Sequence, residues 1–262
     1  MEVETMYRKS LVIFLFVTLA TIIYWSNAEA QIVKDGLVSY WSLDKATIDG
    51  KKVNDTVSQN NGEMKGNPKT VEGKVGDALE FNGVDDSVEI PHNDNLSFGT
   101  GDFTVCVWAK TKATTGRWAQ RQDIVGKGDP SVSGYAISAD TNKGFFWVGG
   151  AGEFSGTTDI NDNNWHYIVG VRKSSDCFVY TDGKQEVKGT NAENVDTAVS
   201  MIFGKHPLKA ESFFAGSIDE VCVYNRALTD DEILKNFSSK GASVDHAGKL
   251  SSVWGEIKKL SN

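Results

Sequence analysis

Short runs rich in Val, Ile, Phe, Tyr and Trp alternate with clusters of Gly, Asn and Asp along most of this chain. No other feature constrains the fold as much. Each run has the length and residue types of a strand, and each cluster suits a tight turn between antiparallel neighbours. Residues 103–110, 135–138, 145–148, 166–172 and 177–181 read as strands. Asp182-Gly183 separates the last of these from residues 185–188. That pair accepts the two positive φ angles of a type I′ turn, so these strands are expected to form a hairpin. The 26 glycines against four prolines fit many such turns. One interior helix is signalled. In Thr229-Asp-Asp-Glu232 the Thr hydroxyl accepts from the Glu232 N–H while the Glu carboxylate reaches back to Thr229. The acids of this first turn also suit the helix dipole. The helix is expected over residues 230–237, with Ile233, Leu234 and Phe237 as its apolar side.

The two ends read differently from the middle. Arg8 and Lys9 precede an apolar run at 11–24 and the small residues Ala28-Glu-Ala30, the pattern of a cleaved export leader. A spanning helix wants about 20 apolar residues, so no stable membrane span is expected after cleavage. The protein is expected to be secreted, periplasmic or at the cell surface. The expected organisation is a signal peptide (1–30), a sandwich domain (31–237), and a linker with a short C-terminal helical tail (238–262). In that tail Leu250, Val253, Trp254, Ile257 and Leu260 recur at helical spacing. The net charge is −8; the leader contributes −1 (Glu2, Glu4 and Glu29 against Arg8 and Lys9), leaving −7. No run of basic residues accompanies it, which argues against nucleic acid as a partner. Cys106, Cys177 and Cys222 each lie in a strand-like run. An odd count cannot pair fully, so the chain is no disulfide scaffold, and all three are expected as buried thiols.

Six segments go further than composition: Gly36-Leu-Val-Ser-Tyr-Trp-Ser-Leu-Asp44, the stretch 78–90 with Ala78-Leu-Glu-Phe-Asn-Gly and Val88-Glu-Ile90, Phe103-Thr-Val-Cys-Val-Trp108, Asn164-Trp-His-Tyr-Ile-Val169, Val179-Tyr-Thr-Asp-Gly183, and Gly216-Ser-Ile-Asp-Glu-Val-Cys-Val-Tyr-Asn-Arg-Ala-Leu228. Together they resemble the concanavalin A-like, laminin-G-like jelly-roll family of secreted bacterial proteins, over about residues 35–237. The resemblance implies an all-β, two-sheet antiparallel sandwich of about twelve to fourteen strands, with the first and last strands side by side. It also implies a structural calcium ion. The family's Asp-Ser-Ser-Gly-Asn-Gly loop corresponds to residues 54–62, and the acid of its Ile-Asp-Glu strand to Asp219. The implied ligands are Asp44, Asp55, Asn60, Gly62 and Asp219, the oxygen donors a hard cation prefers. This chain has Val57-Ser58 where the family has Ser-Gly. Taken alone, the same residues also fit locally hydrogen-bonded turns.

Catalysis finds little support in the sequence. A glycosidase needs two carboxylates flanking the scissile bond, and the laminarinase-type Glu-x-Asp-x-Glu strand is absent. Of the adjacent acids, Asp85-Asp86 sits at a turn, Asp219-Glu220 is expected to point to opposite faces, and Asp230 to Glu232 cap the helix. There is no Gly-x-Ser-x-Gly elbow. The four histidines lack metal-site spacing, and His166 is expected to be packed or hydrogen-bonded. The chain is therefore read as a non-enzyme. Sugars pack against aromatic faces. Trp41, Trp108 and Trp165 occupy core-like strand positions, whereas Trp118 lies in a polar loop beside Arg117 and Arg121. Alternation puts Trp147 on the face opposite Phe146 and Val148, on the concave sheet if that sheet is open. Trp118, Arg117, Arg121 and Trp147 are the candidate ligand-binding residues. The expected function is extracytoplasmic binding of a glycan or glycoprotein. The alternatives are a protein-binding adhesion module, reached through the tail, and a hydrolase with dispersed carboxylates.

Overall fold

The computed structural model describes residues 31–117, 121–129, 132–150, 152–209 and 212–239. The leader, the tail beyond residue 239, Trp118 and Trp254 lie outside the described residues. Two antiparallel sheets pack face to face. The eight-stranded sheet runs β15 (Lys184–Thr190), β14 (Asp176–Thr181), β13 (Trp165–Lys173), β8 (Phe103–Lys110), β17 (Ala215–Tyr224), β6 (Asp77–Asn82) and β5 (Lys69–Glu72). Its eighth strand, β1 (Leu37–Trp41), also pairs with β17. The nine-stranded sheet runs β12 (Gly152–Asp159), β11 (Lys143–Val148), β10 (Ser133–Asp140), β9 (Gln122–Asp129), β16 (Met201–Phe203), β7 (Ser87–Ile90), β4 (Gly62–Lys65), β3 (Lys52–Val53) and β2 (Ile48–Asp49). The first and last strands are neighbours, as the family pattern implies. Seventeen strands exceed the expected twelve to fourteen partly because β2 and β3 are two-residue pairings too short to show a pattern in sequence.

Alternation along each strand sorts the side chains. In β8, Phe103, Val105, Val107 and Ala109 enter the core between the sheets, while Cys106 and Trp108 face outward. In β11, Phe146 and Val148 go in and Phe145 and Trp147 go out. Trp41 is fully buried and meets Phe203 of the other sheet edge-on at 5.1 Å between ring centroids. The hairpin between β14 and β15 turns on Asp182 (φ +52°) and Gly183 (φ +79°), as its sequence dictates.

Helix α1 spans Asp230–Ser238 with both bonds of the capping box in place. It covers the outer face of the eight-stranded sheet, where Tyr40, Cys106, Trp108, Tyr167, Val169, Val171, Tyr180 and Tyr224 form a second apolar cluster with Ile32 and Val33. Ile233 and Phe237 join that cluster, but Leu234 is about half exposed. Asn236 takes the inward position instead. Its Oδ1 accepts from the Val33 N–H at 2.8 Å and its Nδ2 donates to the Tyr224 hydroxyl at 3.0 Å. A buried amide with fixed partners thus outranks a leucine on this helix. Cys106, Cys177 and Cys222 are all buried and unbridged in this structure. Among the described residues no helix is long and apolar enough to cross a membrane.

Strand β17 carries a bulge. Asp219 pairs with Trp108 and Cys222 with Cys106, so two residues of β17 oppose one of β8, and Glu220 adopts φ +52°. The expectation that Asp219 and Glu220 face opposite ways fails here, because the extra residue resets the alternation. Asp219 lies opposite Trp108, and Glu220 accepts from the Tyr40 hydroxyl at 2.7 Å, so both acids serve the outer side of the sheet.

Candidate functional site

The outer face of the nine-stranded sheet gathers charge over a small apolar floor. Ala136, Phe145 and Trp147 form that floor, with the Phe145 and Trp147 rings stacked at 4.8 Å. The guanidinium of Arg121 lies 4.2 Å over the Trp147 ring, a cation–π contact strengthened by desolvation. Arg121 is held there by Asp123, whose Oδ1 is 2.8 Å from its Nε, and by the Ser212 hydroxyl, which donates to its carbonyl. Ser138 donates to the same Asp123 at 2.6 Å, and His206 Nε2 lies 3.9 Å from Asp123 Oδ2. At the rim, Arg117 pairs with Glu153 of β12 at 2.5 Å. Thr115 fixes the strap ahead of Arg117 by exchanging two 2.8 Å bonds with Asn142 in the β10–β11 turn.

Asp140, at the end of β10, is fully buried, and its carboxylate has no hydrogen-bond partner among the described residues. Burial pushes its pKa up, against the pull of Arg117 and Arg121. Arg121 and Asp140 thus close this floor from solvent, and Arg117 and Glu153 remain at its rim.

The second feature is the turn between β5 and β6. Asp44 Oδ1 accepts from the Asp77 N–H at 2.8 Å, and Asp219 Oδ2 accepts from Lys74 and Val75 at 2.8 and 3.0 Å. Gly73 and Gly76 permit this approach: a Cβ at Gly73 would run into Asp219 and one at Gly76 into Asp44. Burial raises Asp219 to about 8, the backbone donors oppose it, and the nearby Asp44 carboxylate adds to the rise. Asp219 Oδ1 is buried with no partner among the described residues.

The five expected cation ligands therefore divide. Asp44 and Asp219 meet at this turn. Asp55 is built into the loop after β1, where its carboxylate accepts from Tyr40 N, Val57 N, the Ser58 hydroxyl and Asn60 N. The Asn60 carbonyl accepts from Trp41 Nε1 at 2.8 Å. Gly62 lies in β4, packed against Val88. Among the described residues no three His, Cys, Asp or Glu side chains converge as a ready-made metal site.

Of the expected ligand-binding residues, Arg117, Arg121 and Trp147 come together and Trp118 lies outside the described residues. Trp147 is on the anticipated face, but its ring is covered by Arg121 and is only 2% exposed, so it offers no bare stacking surface. Asp123, Ser138, Asp140, Glu153 and His206 escaped the sequence search because β9, β10, β12 and a distant loop contribute them separately. The available signal was the alternation of Ala136, Ser138 and Asp140, which places them on one face. His166 is hydrogen-bonded, as expected, to Asp182 at 2.9 Å and Asp162 at 3.1 Å. A groove of about 880 Å³ lies elsewhere, at the end of the eight-stranded sheet. Its lining mixes Lys69, Lys110 and Lys112 with Glu72 and Glu80, and so defines no ligand chemistry.

Two antiparallel sheets with these strand pairings define a jelly-roll sandwich. The chain belongs to the concanavalin A-like lectin/glucanases superfamily, whose Laminin_G_3 model matches residues 82–234. Solved structures agree on the fold. The binding domain of Paraclostridial Mosquitocidal Protein 1 superposes with a TM-score of 0.65 at 20% identity, covering 78% of this chain and 52% of that one. This chain thus spans about half of that structure. Domain 4 of AbnA, a GH43 extracellular arabinanase from Geobacillus stearothermophilus solved with arabinotriose, gives 0.61 at 21% identity, covering 76% and 97%. The binding domain of Botulinum neurotoxin DC, solved with rat synaptotagmin II, gives 0.61 at 15% identity, covering 79% and 52%. No curated protein matches the chain in sequence.

Proposed function

We propose that this protein is a non-catalytic binding module that acts outside the cytoplasm and recognises a glycan or glycoprotein. The observation that carries the reading is the Arg117–Glu153 rim beside Arg121, Trp147 and Asp140 on an otherwise buried sheet face. Its groups suit hydroxyls and carboxylates: Arg117 is half exposed and can turn from Glu153 to a ligand. The non-catalytic reading rests on access, since Asp123 is bound to Arg121 and Ser138, and Asp140 is shut from solvent. Export rests on the leader pattern at 1–30. A glycan array probed with the exported protein tests the reading. Arg117→Ala and Trp118→Ala are each expected to weaken a positive signal about tenfold with the fold intact, as loss of an anchor commonly does. Hydrolysis of a bound polysaccharide would instead make the protein an enzyme.

A protein partner is the second reading, favoured by the neurotoxin binding domain that was solved with a protein bound. An empty glycan array, with binding lost in Trp254→Ala, would select it.

A structural calcium ion belongs to the same proposal, held by Asp44 and Asp219 with Asp55, Asn60 and Gly62 ordering the adjoining loop. Asp219 Oδ1, buried with no partner among the described residues and beside a second carboxylate, fits a cation. At about 100 times its dissociation constant the ion would add about 2.7 kcal/mol to stability. Calcium is expected to raise the melting temperature, and chelator to reverse the rise. Asp44→Asn or Asp219→Asn should abolish the response, and identical melting curves with and without calcium would reject the ion.

A further inference from the structure

We propose that Cys106 and Cys222 are a disulfide-forming pair that links the two central strands β8 and β17 when the chain folds in contact with a disulfide donor. The register places the two residues directly opposite each other. Both lie on the outer side of the eight-stranded sheet, in the cluster beneath helix α1. Opposite residues of an antiparallel pair have Cα atoms about 4.5–5.5 Å apart, inside the window of about 4.4–6.8 Å that a disulfide requires. The paired register therefore suits the spacing a disulfide needs. Cys177 cannot compete. It faces the core between the sheets, on the other side of the same sheet, with its thiol toward the Asn191 carbonyl at 3.9 Å. The odd cysteine count resolves into a pair and a single thiol, a division that only the register reveals.

The chemistry balances through thiol–disulfide exchange. One cysteine thiolate attacks the donor RSSR and releases RSH, leaving a mixed disulfide on the protein. The second thiolate then attacks the protein-side sulfur and releases the second RSH, so two protein thiols are oxidised and one donor disulfide is reduced. Such donors are found outside the cytoplasm. Timing follows from burial. Cys106 is fully buried and Cys222 is 3% exposed, so a donor reaches them while β8 and β17 are still docking, before α1 closes the face. Burial also pushes Cys106 up to about 12, which withholds the thiolate from the closed sheet.

The test is refolding of the reduced, unfolded chain in a mixture of oxidised and reduced glutathione, followed by alkylation and non-reducing peptide mapping. The expected result is loss of two of three titratable thiols, a linked peptide containing Cys106 and Cys222, and alkylation at Cys177 alone. Cys177→Ser should keep the link and Cys222→Ser should lose it. Three alkylated thiols, glutathione retained on Cys106 or Cys222 without a link, or a link to Cys177 would each overturn the proposal. Mapping of the natural chain decides the matter even if Cys222→Ser fails to fold.

Discussion

The two outer faces of the sandwich solve the same problem in opposite ways. The eight-stranded sheet turns aromatic and aliphatic side chains outward and covers them with α1 and the segment at Ile32–Val33. Polar groups stitch that seal: Asn236 joins Val33 to Tyr224, and Arg226 forks onto both oxygens of Glu232 at 2.8 and 2.7 Å. The nine-stranded sheet turns out only Ala136, Phe145 and Trp147 in its apolar cluster. It covers them with a buried arginine, two buried carboxylates and a buried histidine. Apolar burial contributes at about 25 cal/mol per Å², whereas a buried ion pair roughly cancels its own desolvation. Of the two outer faces, the helix-covered one therefore contributes more to stability. The charged face is stabilised by the rest of the fold, which leaves it free for the recognition proposed above.

The largest effect that would break this contrast concerns Arg121. Arg121→Met leaves the buried Asp123 with Ser138 as its hydrogen-bond donor and is expected to cost about 3–5 kcal/mol. The double change Arg121→Met/Asp123→Leu should recover most of that loss, because both desolvated charges go together. Urea unfolding of the two variants measures this. A double variant as unstable as the single would show that the ion pair itself supports the fold. On the helix-covered face, Asn236→Ala should cost less, about 1–3 kcal/mol, as it strands the buried Val33 N–H. A loss below about 0.5 kcal/mol, within the range of an ordinary surface substitution, would mean that the seal does not depend on this amide.

The contrast also shows what the sequence can carry. Phe103 to Lys110, the Asp182-Gly183 hairpin and the capping box at Thr229 are local patterns, and each appears in the structure as read. The bulge in β17 depends on how β8 and β1 pair with it, so strict alternation misassigns Asp219 and Glu220. Leu234 looks apolar and Asn236 polar, yet their places are exchanged because Val33 and Tyr224, themselves joined by a hydroxyl-to-carbonyl bond, offer Asn236 two partners. The charged face was legible only at Arg117, Arg121 and Trp147. Asp123, Ser138, Asp140, Glu153 and His206 are united by sheet register and loop closure, which leave no spacing to search for.

The smallest expected effect separates the two faces by pH. His166 bridges the hairpin turn and the loop before β13 through Asp182 and Asp162. Its pKa is raised by the hydrogen bond to Asp182 first, with burial opposing and Asp162 adding. That hairpin turn supports the helix-covered face, since Gly183 packs against Leu234 and Phe237 of α1. A raised folded-state pKa means that the protonated ring stabilises the fold fully below its unfolded value of about 6.5. The gain is lost as pH rises through the higher folded value. His166→Gln should therefore cost on the order of 1 kcal/mol near pH 5.5 and progressively less toward pH 8.5. Unfolding free energies of the natural chain and the variant across that range would show converging curves. Parallel curves would mean that His166 packs as a neutral ring and that the helix seal carries no pH dependence from this clamp.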